Sequence, residues 1–274
     1  MKKLTLFILF LCLFTLSNVR AQSSSAKPFV VGKVEEIQSS VLGEQRTLNI
    51  YLPDGYDNKN SSGYPVIYLL DGSANEDFIH VTGLVQFFNM IETLPKSIVV
   101  GIANVDRKRD FTFPTTIEKD KEDFPTTGGS QKFIEFLQSE LQPFVEKKYR
   151  TNGSKTIIGQ SLGGLLGTEI LLKEPSLFTS YIIVSPSLWW DNESLLVKAP
   201  ELLKSGGAEN IKVFLTVGTE GQVMENDAAS LANILKTNAT DKIQLNFSPL
   251  PEENHLTILN RAIYKAFESL KPKL

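Results

Sequence analysis

The sequence predicts an α/β architecture: about eight strands in a mostly parallel sheet with helices on both faces. Three observations point there, namely short unbroken apolar runs, helix-length apolar periods between them, and their alternation through most of the 274-residue chain. The first two runs differ from the rest. Phe29 to Ile37 and Thr47 to Leu52 alternate apolar and polar residues around a turn at Gly43, the pattern of an antiparallel hairpin with one wet face. Val66–Leu70, Ile98–Ile102, Thr156–Ile158, Tyr181–Val184 and Val213–Val217 are continuously apolar in character, as strands buried on both faces should be, and Ile243–Phe247 supplies the last one. Helical segments lie between them. Phe133, Phe136, Leu137, Leu141, Phe144 and Val145 fall at spacings of three and four on one stripe, which should face the sheet. Similar segments cover Phe78–Leu94, Leu162–Lys173, Ser194–Leu203, Ala228–Leu235 and Leu256–Leu270. Asn104–Gly129, irregular and rich in Pro, Thr and charge, is too long for a mere connector and is expected to roof a site.

The N-terminus reads as a processing segment. Lys2 and Lys3 precede an apolar-rich run from Leu4 to Leu16, and Val19-Arg20-Ala21 has a small-x-small cleavage pattern, so residues 1–21 are assigned to a signal peptide and 22–274 to one domain. The run is shorter than the ~20 residues that span a bilayer, and the mature chain is expected to be secreted or periplasmic, without stable membrane association. Cleavage removes three basic residues, leaving 25 Lys+Arg against 31 Asp+Glu, a net charge of −6. That balance argues against a general nucleic-acid binder. Cys12, the single cysteine, leaves with the leader, which excludes a catalytic thiol, a Cys-rich zinc site and a disulfide framework from the mature chain.

Gly159-Gln160-Ser161-Leu162-Gly163, followed by Gly164, stands directly between a strand and an apolar helix. This is G-x-S-x-G in its confirming context: a sharp strand-to-helix turn holds the serine in a strained conformation, and glycines on either side let the backbones approach. Ser161 is therefore the candidate nucleophile. A hydroxyl needs a base, and His255, in a polar loop after the last strand, is placed where the order nucleophile, acid, histidine requires it. His80 precedes the nucleophile and is left as a candidate substrate contact or a packing residue. Glu220, after the strand Val213–Val217, is the first candidate for the orienting acid, with Glu225 and Asp227 close behind it and a Ser-His dyad as a further alternative. The oxyanion donors are assigned to the backbone N–H groups of Leu162, at the helix start, and of Ser73, in the turn Asp71-Gly72-Ser73. No metal or cofactor is needed for such chemistry, whose partner is a small-molecule ester.

At these residues the chain resembles the esterase branch of the α/β-hydrolases, which includes ferric-siderophore esterases, feruloyl and acetyl-xylan-type esterases, S-formylglutathione hydrolase and the mycolyltransferases. The resemblance rests on Ile50-Tyr51-Leu52-Pro53-Asp54-Gly55-Tyr56, on Val66 to Gly72, on Gly159 to Gly164, on Ser185-Pro186-Ser187-Leu188-Trp189-Trp190 and on His255, and covers nearly all of the mature chain. It implies an α/β-hydrolase fold, a serine esterase activity through an acyl-enzyme, and a part for the Asp-Gly turn in the oxyanion hole. Within the branch the chain looks most like the ferric-siderophore esterases of the enterobactin and bacillibactin type, through Val105-Asp106-Arg107-Lys108-Arg109-Asp110 and the two tryptophans. An anionic, ring-bearing ferric chelate would suit Arg107 and Arg109 as oxygen and ring partners, with Trp189 or Trp190 as an aromatic wall. The same residues also fit a solvated loop and tryptophans packed beneath the roof. A feruloyl or acetyl esterase acting on polysaccharide, an acyltransferase, and a catalytically silent ligand-binding protein are the alternative functions.

Overall fold

The computed structural model describes residues 26–205, 210–239 and 243–269. The expected signal peptide lies outside the described residues. Eight strands form one sheet: β1 (Lys33–Ser39), β2 (Glu44–Tyr51), β3 (Tyr64–Leu69), β4 (Ile98–Ile102), β5 (Thr151–Gln160), β6 (Ser180–Val184), β7 (Ile211–Thr216) and β8 (Ile243–Phe247), in the spatial order β1-β2-β4-β3-β5-β6-β7-β8. β1 pairs antiparallel with β2 and β2 antiparallel with β4, and every other pairing is parallel. The mostly parallel sheet expected from the run pattern is thus present, with its antiparallel entry hairpin at one edge.

The two faces of the sheet sort the side chains by the two-residue period of a strand. Ile67, Leu69, Val99, Ile158, Ile182 and Phe214 point to one face, where α1 (Phe78–Met90) and the C-terminal helix (Ile258–Ser269) cover them with Phe78, Val81, Val85, Phe88, Ile263 and Phe267. Val66, Tyr68, Val100, Ile157, Ile183 and Leu215 point to the other. There the stripe beginning at Phe133 packs as foreseen, but its helix is compound: Ser130–Phe136 and Gln142–Lys148 are joined by a π turn over Leu137–Leu141. Leu162–Lys173 is a helix with the expected bounds, buried along almost its whole length. Among the described residues no helix is long and apolar enough to cross a membrane.

Three expectations need correction in detail. The first strand begins at Lys33, not Phe29, and the second begins at Glu44, because pairing with β1 runs on to Ser39 opposite Glu44. Asn104–Gly129 is not wholly irregular, since it holds the short helices Arg107–Phe111 and Glu118–Asp123. It is also closed on itself, the Gly129 N–H donating to the Arg109 carbonyl at 2.9 Å and the Ser130 N–H to the Thr112 carbonyl at 3.1 Å. The segment Trp190–Ser205 is helical except at Asp191, Asn192 and Glu193, which adopt left-handed backbone, so the helix proper starts at Ser194 as the sequence suggested. Asp191 holds this turn together, accepting from Thr115 Oγ1, the Thr116 N–H and Ser194 Oγ.

Candidate active site

The carboxyl end of β5 and the segments after β3, β4 and β8 converge on a cleft of about 420 Å³ whose lining includes Ser161 and His255. Ser161 sits at φ 59°, ψ −120°, between β5 and its helix. A non-glycine residue there carries a strain of about 1–3 kcal/mol, which its surroundings must hold in place. They do so through the backbone: the Ser161 N–H donates to the Val184 carbonyl at 3.1 Å, and the Ser161 carbonyl accepts from Leu165 at 2.9 Å and from Ser187 at 3.1 Å. Gly159 is required, because a Cβ there would lie 2.3 Å from the Gly163 carbonyl oxygen. Gly163 is less constrained than the sequence argument held, since its Cβ would meet Asp71 Oδ2 at 3.4 Å and Leu70 at 3.6 Å, ordinary contacts.

Of the three candidate acids, Glu220 is the one in contact with His255. Its Oε2 lies 2.6 Å from His255 Nδ1, while Oε1 accepts from Ser185 Oγ and, at 2.9 Å, from the Gly218 N–H. Burial pushes this carboxyl up, but the bonds from His255, Ser185 and Gly218 outweigh it, and the group is held below the ordinary carboxylate range. Glu225, the second candidate, instead supports the loop, accepting from the Glu220 N–H at 2.9 Å and the Gly221 N–H at 3.0 Å. Asp227, the third, is buried in the helix Gln222–Asn238 with Oδ2 unpartnered. Burial and the charge of Glu193 push it up to about 6. The loop of His255 is fixed from the nucleophile side, where Gln160 Nε2 donates to the His255 carbonyl. In this conformation the Ser161 hydroxyl is paired with Ser187 Oγ at 3.3 Å.

On the oxyanion side, Leu162 is the first residue of its helix, so its N–H is one of the four without an intrahelical acceptor. The turn Asp71-Gly72-Ser73 is held against β4, the Gly72 N–H donating to the Ile102 carbonyl at 3.0 Å and Asn49 Nδ2 to the Gly72 carbonyl at 2.8 Å. The Ser73 N–H points at the exposed Glu76, whose Oε2 it meets at 3.3 Å. An ester oxygen would have to displace that carboxylate.

The expected substrate contacts are distributed differently. Arg107 lines the cleft, but its Nε meets Asp71 Oδ1 at 2.6 Å and one terminal nitrogen reaches both Asp71 Oδ2 and the Gln160 carbonyl at 3.1 Å. It therefore ties the oxyanion turn to the nucleophile strand. Arg109 is turned away, to Glu44 at 2.6 Å and Asp110 at 2.8 Å, because β2 brings Glu44 and the buried Arg46 beneath it. Trp190 is fully buried, with its indole N–H donating to the Phe113 carbonyl at 2.9 Å, so it packs under Asn104–Gly129 and forms no aromatic wall. His80 is half-buried beside Asp77 at 3.9 Å, and burial keeps its imidazole below its ordinary value. It is not among the residues lining the cleft, whereas Asp77 is. Of Asn104–Gly129, Arg107 alone lines the cleft, so the segment does not roof it as expected. Sequence reasoning missed Ser185, Ser187 and Asn49. The first two carried a usable signal, since they end the strand next to that of the nucleophile.

The chain is similar to known proteins over most of its length. Residues 39–257 match the family described as "Putative esterase". The chain is 29% identical over 270 residues to the ferri-bacillibactin esterase BesA of Bacillus subtilis, covering 90% of this chain and 92% of that protein. Among solved structures, the BES protein from Bacillus cereus superposes with a TM-score of 0.79 at 29% identity over 90% of this chain and 97% of that one. An IroE-like serine hydrolase from Shewanella oneidensis gives the same TM-score and identity over 88% and 80%. With the match spanning most of its length, the chain belongs to this esterase family and has its α/β-hydrolase fold.

Proposed function

We propose that the protein is a serine carboxylic-ester hydrolase working through Ser161, His255 and Glu220. The observation that carries the reading is the 2.6 Å contact between His255 Nδ1 and Glu220 Oε2 beside a cleft that His255 shares with the strained Ser161. With Nδ1 committed to the carboxylate, Nε2 is the nitrogen left to act as base. The Ser161 hydroxyl leaves Ser187 and gives its proton to Nε2 as Oγ bonds to the ester carbonyl carbon. The carbonyl oxygen becomes an oxyanion held by the N–H groups of Leu162 and Ser73. Its collapse breaks the C–O bond to the alcohol, which takes the proton from Nε2 and leaves an acyl-enzyme. Water, deprotonated by the same nitrogen, releases the acid and restores Ser161.

Siderophore-type or similar aromatic esters are the proposed substrates, supported by the activity in the name of the B. subtilis relative. The leader pattern at residues 1–21 supports a secreted or periplasmic location. The test is peptide mapping after exposure to a fluorophosphonate at about pH 8. A single adduct on Ser161, lost in His255→Ala, is the expected result, and an unmodified Ser161 in folded protein rejects the activated serine.

A further inference from the structure

The charges lining the cleft around Ser161 and His255 are mainly negative. Asp71, Glu76 and Asp77 stand there against one cation, Arg107. That cation is neutralised in place, because both carboxylate oxygens of Asp71 are bonded to its guanidinium. The rest of the basic run is turned elsewhere: Lys108 Nζ donates to the Asp123 carbonyl at 3.1 Å and lies over the Phe124 ring, and Arg109 is paired with Glu44 and Asp110. Glu76 takes hydrogen bonds from Asn104 and from the Ser73 N–H, both uncharged donors. Asp77 has His80 at 3.9 Å, and burial holds that imidazole towards its neutral form. Among the described residues, neither Glu76 nor Asp77 is therefore bonded to a Lys or Arg, and Glu76 rests on the assigned oxyanion donor.

We infer that Glu76 and Asp77 form a charge filter at the mouth of the active site, so that the enzyme takes esters with an uncharged or cationic acyl half in preference to anionic ones. An approaching anion meets the uncompensated pair as it displaces Glu76 from Ser73, whereas a cation is drawn to it. Among siderophore-type esters this favours the iron-free form, with its catechols protonated, over a ferric tris-catecholate. That reverses the part the sequence suggested for Arg107 and Arg109. Asp77 is pushed up to about 6, chiefly by burial and then by the charges of Asp71 and Glu76, with Arg107 pulling the other way.

The inference rests on the serine-esterase reading, and one set of substrates separates the two. Nitrophenyl esters of matched length with a neutral (butyrate), anionic (monosuccinate) and cationic (trimethylammoniobutyrate) acyl group are compared by kcat/KM at low and high ionic strength. The wild-type enzyme should favour butyrate over succinate by about tenfold or more at low salt, with the gap narrowing as salt screens the pair. Glu76→Gln, which keeps an acceptor for Ser73, and Asp77→Asn should each raise the succinate-to-butyrate ratio by about fivefold and lower the cation-to-butyrate ratio. Equal losses on all three esters would mean a purely structural role and overturn the filter. So would wild-type ratios indifferent to charge and salt while Ser161 still takes the fluorophosphonate. No turnover of any ester together with no adduct overturns the esterase reading, and the filter with it.

Discussion

Glu220 and Asp77 are carboxylates on opposite flanks of one cleft, and their surroundings pull them in opposite directions. β5, which carries the nucleophile, lies between β3, which leads to Asp77, and β6 and β7, which lead to Ser185 and Glu220. Both acids are driven up by burial. Glu220 is brought back below its ordinary value by three donors, whereas Asp77 faces Asp71 and Glu76 and stays high. Donors, more than depth, decide how readily each carboxylate ionises. The flank of Glu220 is built to stabilise a positive imidazole, and the flank of Asp77 to sort what enters.

The sharpest way to break this contrast is to remove each acid in turn. Glu220→Ala should lower kcat on a neutral ester by about 10³- to 10⁴-fold, because the imidazole loses both its orientation and its counter-charge. Asp77→Asn should change the same kcat by less than about tenfold. Steady-state kinetics on folded protein checks both, and comparable losses would end the division of labour. The next effect concerns the donors. Ser185→Ala takes one hydrogen bond from a carboxylate that is 2% exposed, worth about 1.5–3 kcal/mol. It should lower kcat by about tenfold in steady-state kinetics on folded protein and raise the pH at which Glu220 takes up its proton.

Much of the site was legible because its order along the chain reflects the order of strand ends. Ser161 was marked by its G-x-S-x-G turn and His255 by following the last strand, whereas position left Glu220 open beside Glu225 and Asp227, and only the fold brings Glu220 against His255. Arg109 was not legible in that way: a basic residue announces its charge but not its partner, and Glu44 lies 65 residues earlier in the chain, brought near by β2. Trp190 looked like a ligand wall because its residue type suits one, yet its N–H finds the Phe113 carbonyl and the ring is buried. The left-handed turn at Asp191, Asn192 and Glu193 contains no glycine to announce it, and it persists because Asp191 bonds to Thr115, Thr116 and Ser194. The fold read more easily, since alternation and continuity of apolar residues are direct consequences of burial on one face or two.

Asp227 extends the contrast from activity to stability. Its carboxyl, raised to about 6 from an ordinary 3.8, favours the folded state only when protonated. As pH rises from about 4 to about 6 the unfolded chain releases this proton while the folded chain retains it, so stability falls, and the loss is complete above that window. Glu220 acts in the opposite sense, contributing stability above the ordinary value of 4.5 that disappears as pH falls through its lower folded value. Asp227→Asn should therefore match the parent near pH 4 and exceed it by about 1–3 kcal/mol near pH 8 in denaturant titrations. A gain of the same size at both pH values would place the effect in packing and not in charge.

The smallest effect separates the two arginines that the sequence grouped together. Arg107 ties Asp71 to the Gln160 carbonyl, so its loss should loosen the oxyanion turn and the nucleophile strand together and appear in kcat. Arg109 belongs to the quartet with Glu44, Arg46 and Asp110, at the point where Gly129 closes the 104–129 segment by bonding to its carbonyl. Arg109→Ala leaves the 1% exposed Asp110 with Arg46 as its remaining cation. The guanidinium is a third exposed, so solvent screening keeps the loss at the low end, about 1 kcal/mol or a fall of about 2–4 °C in Tm. Its effect on kcat/KM should be small and the same for anionic and neutral esters. A selective loss on the anionic ester would return Arg109 to the substrate and remove the ground for reading this cleft as closed to negative charge.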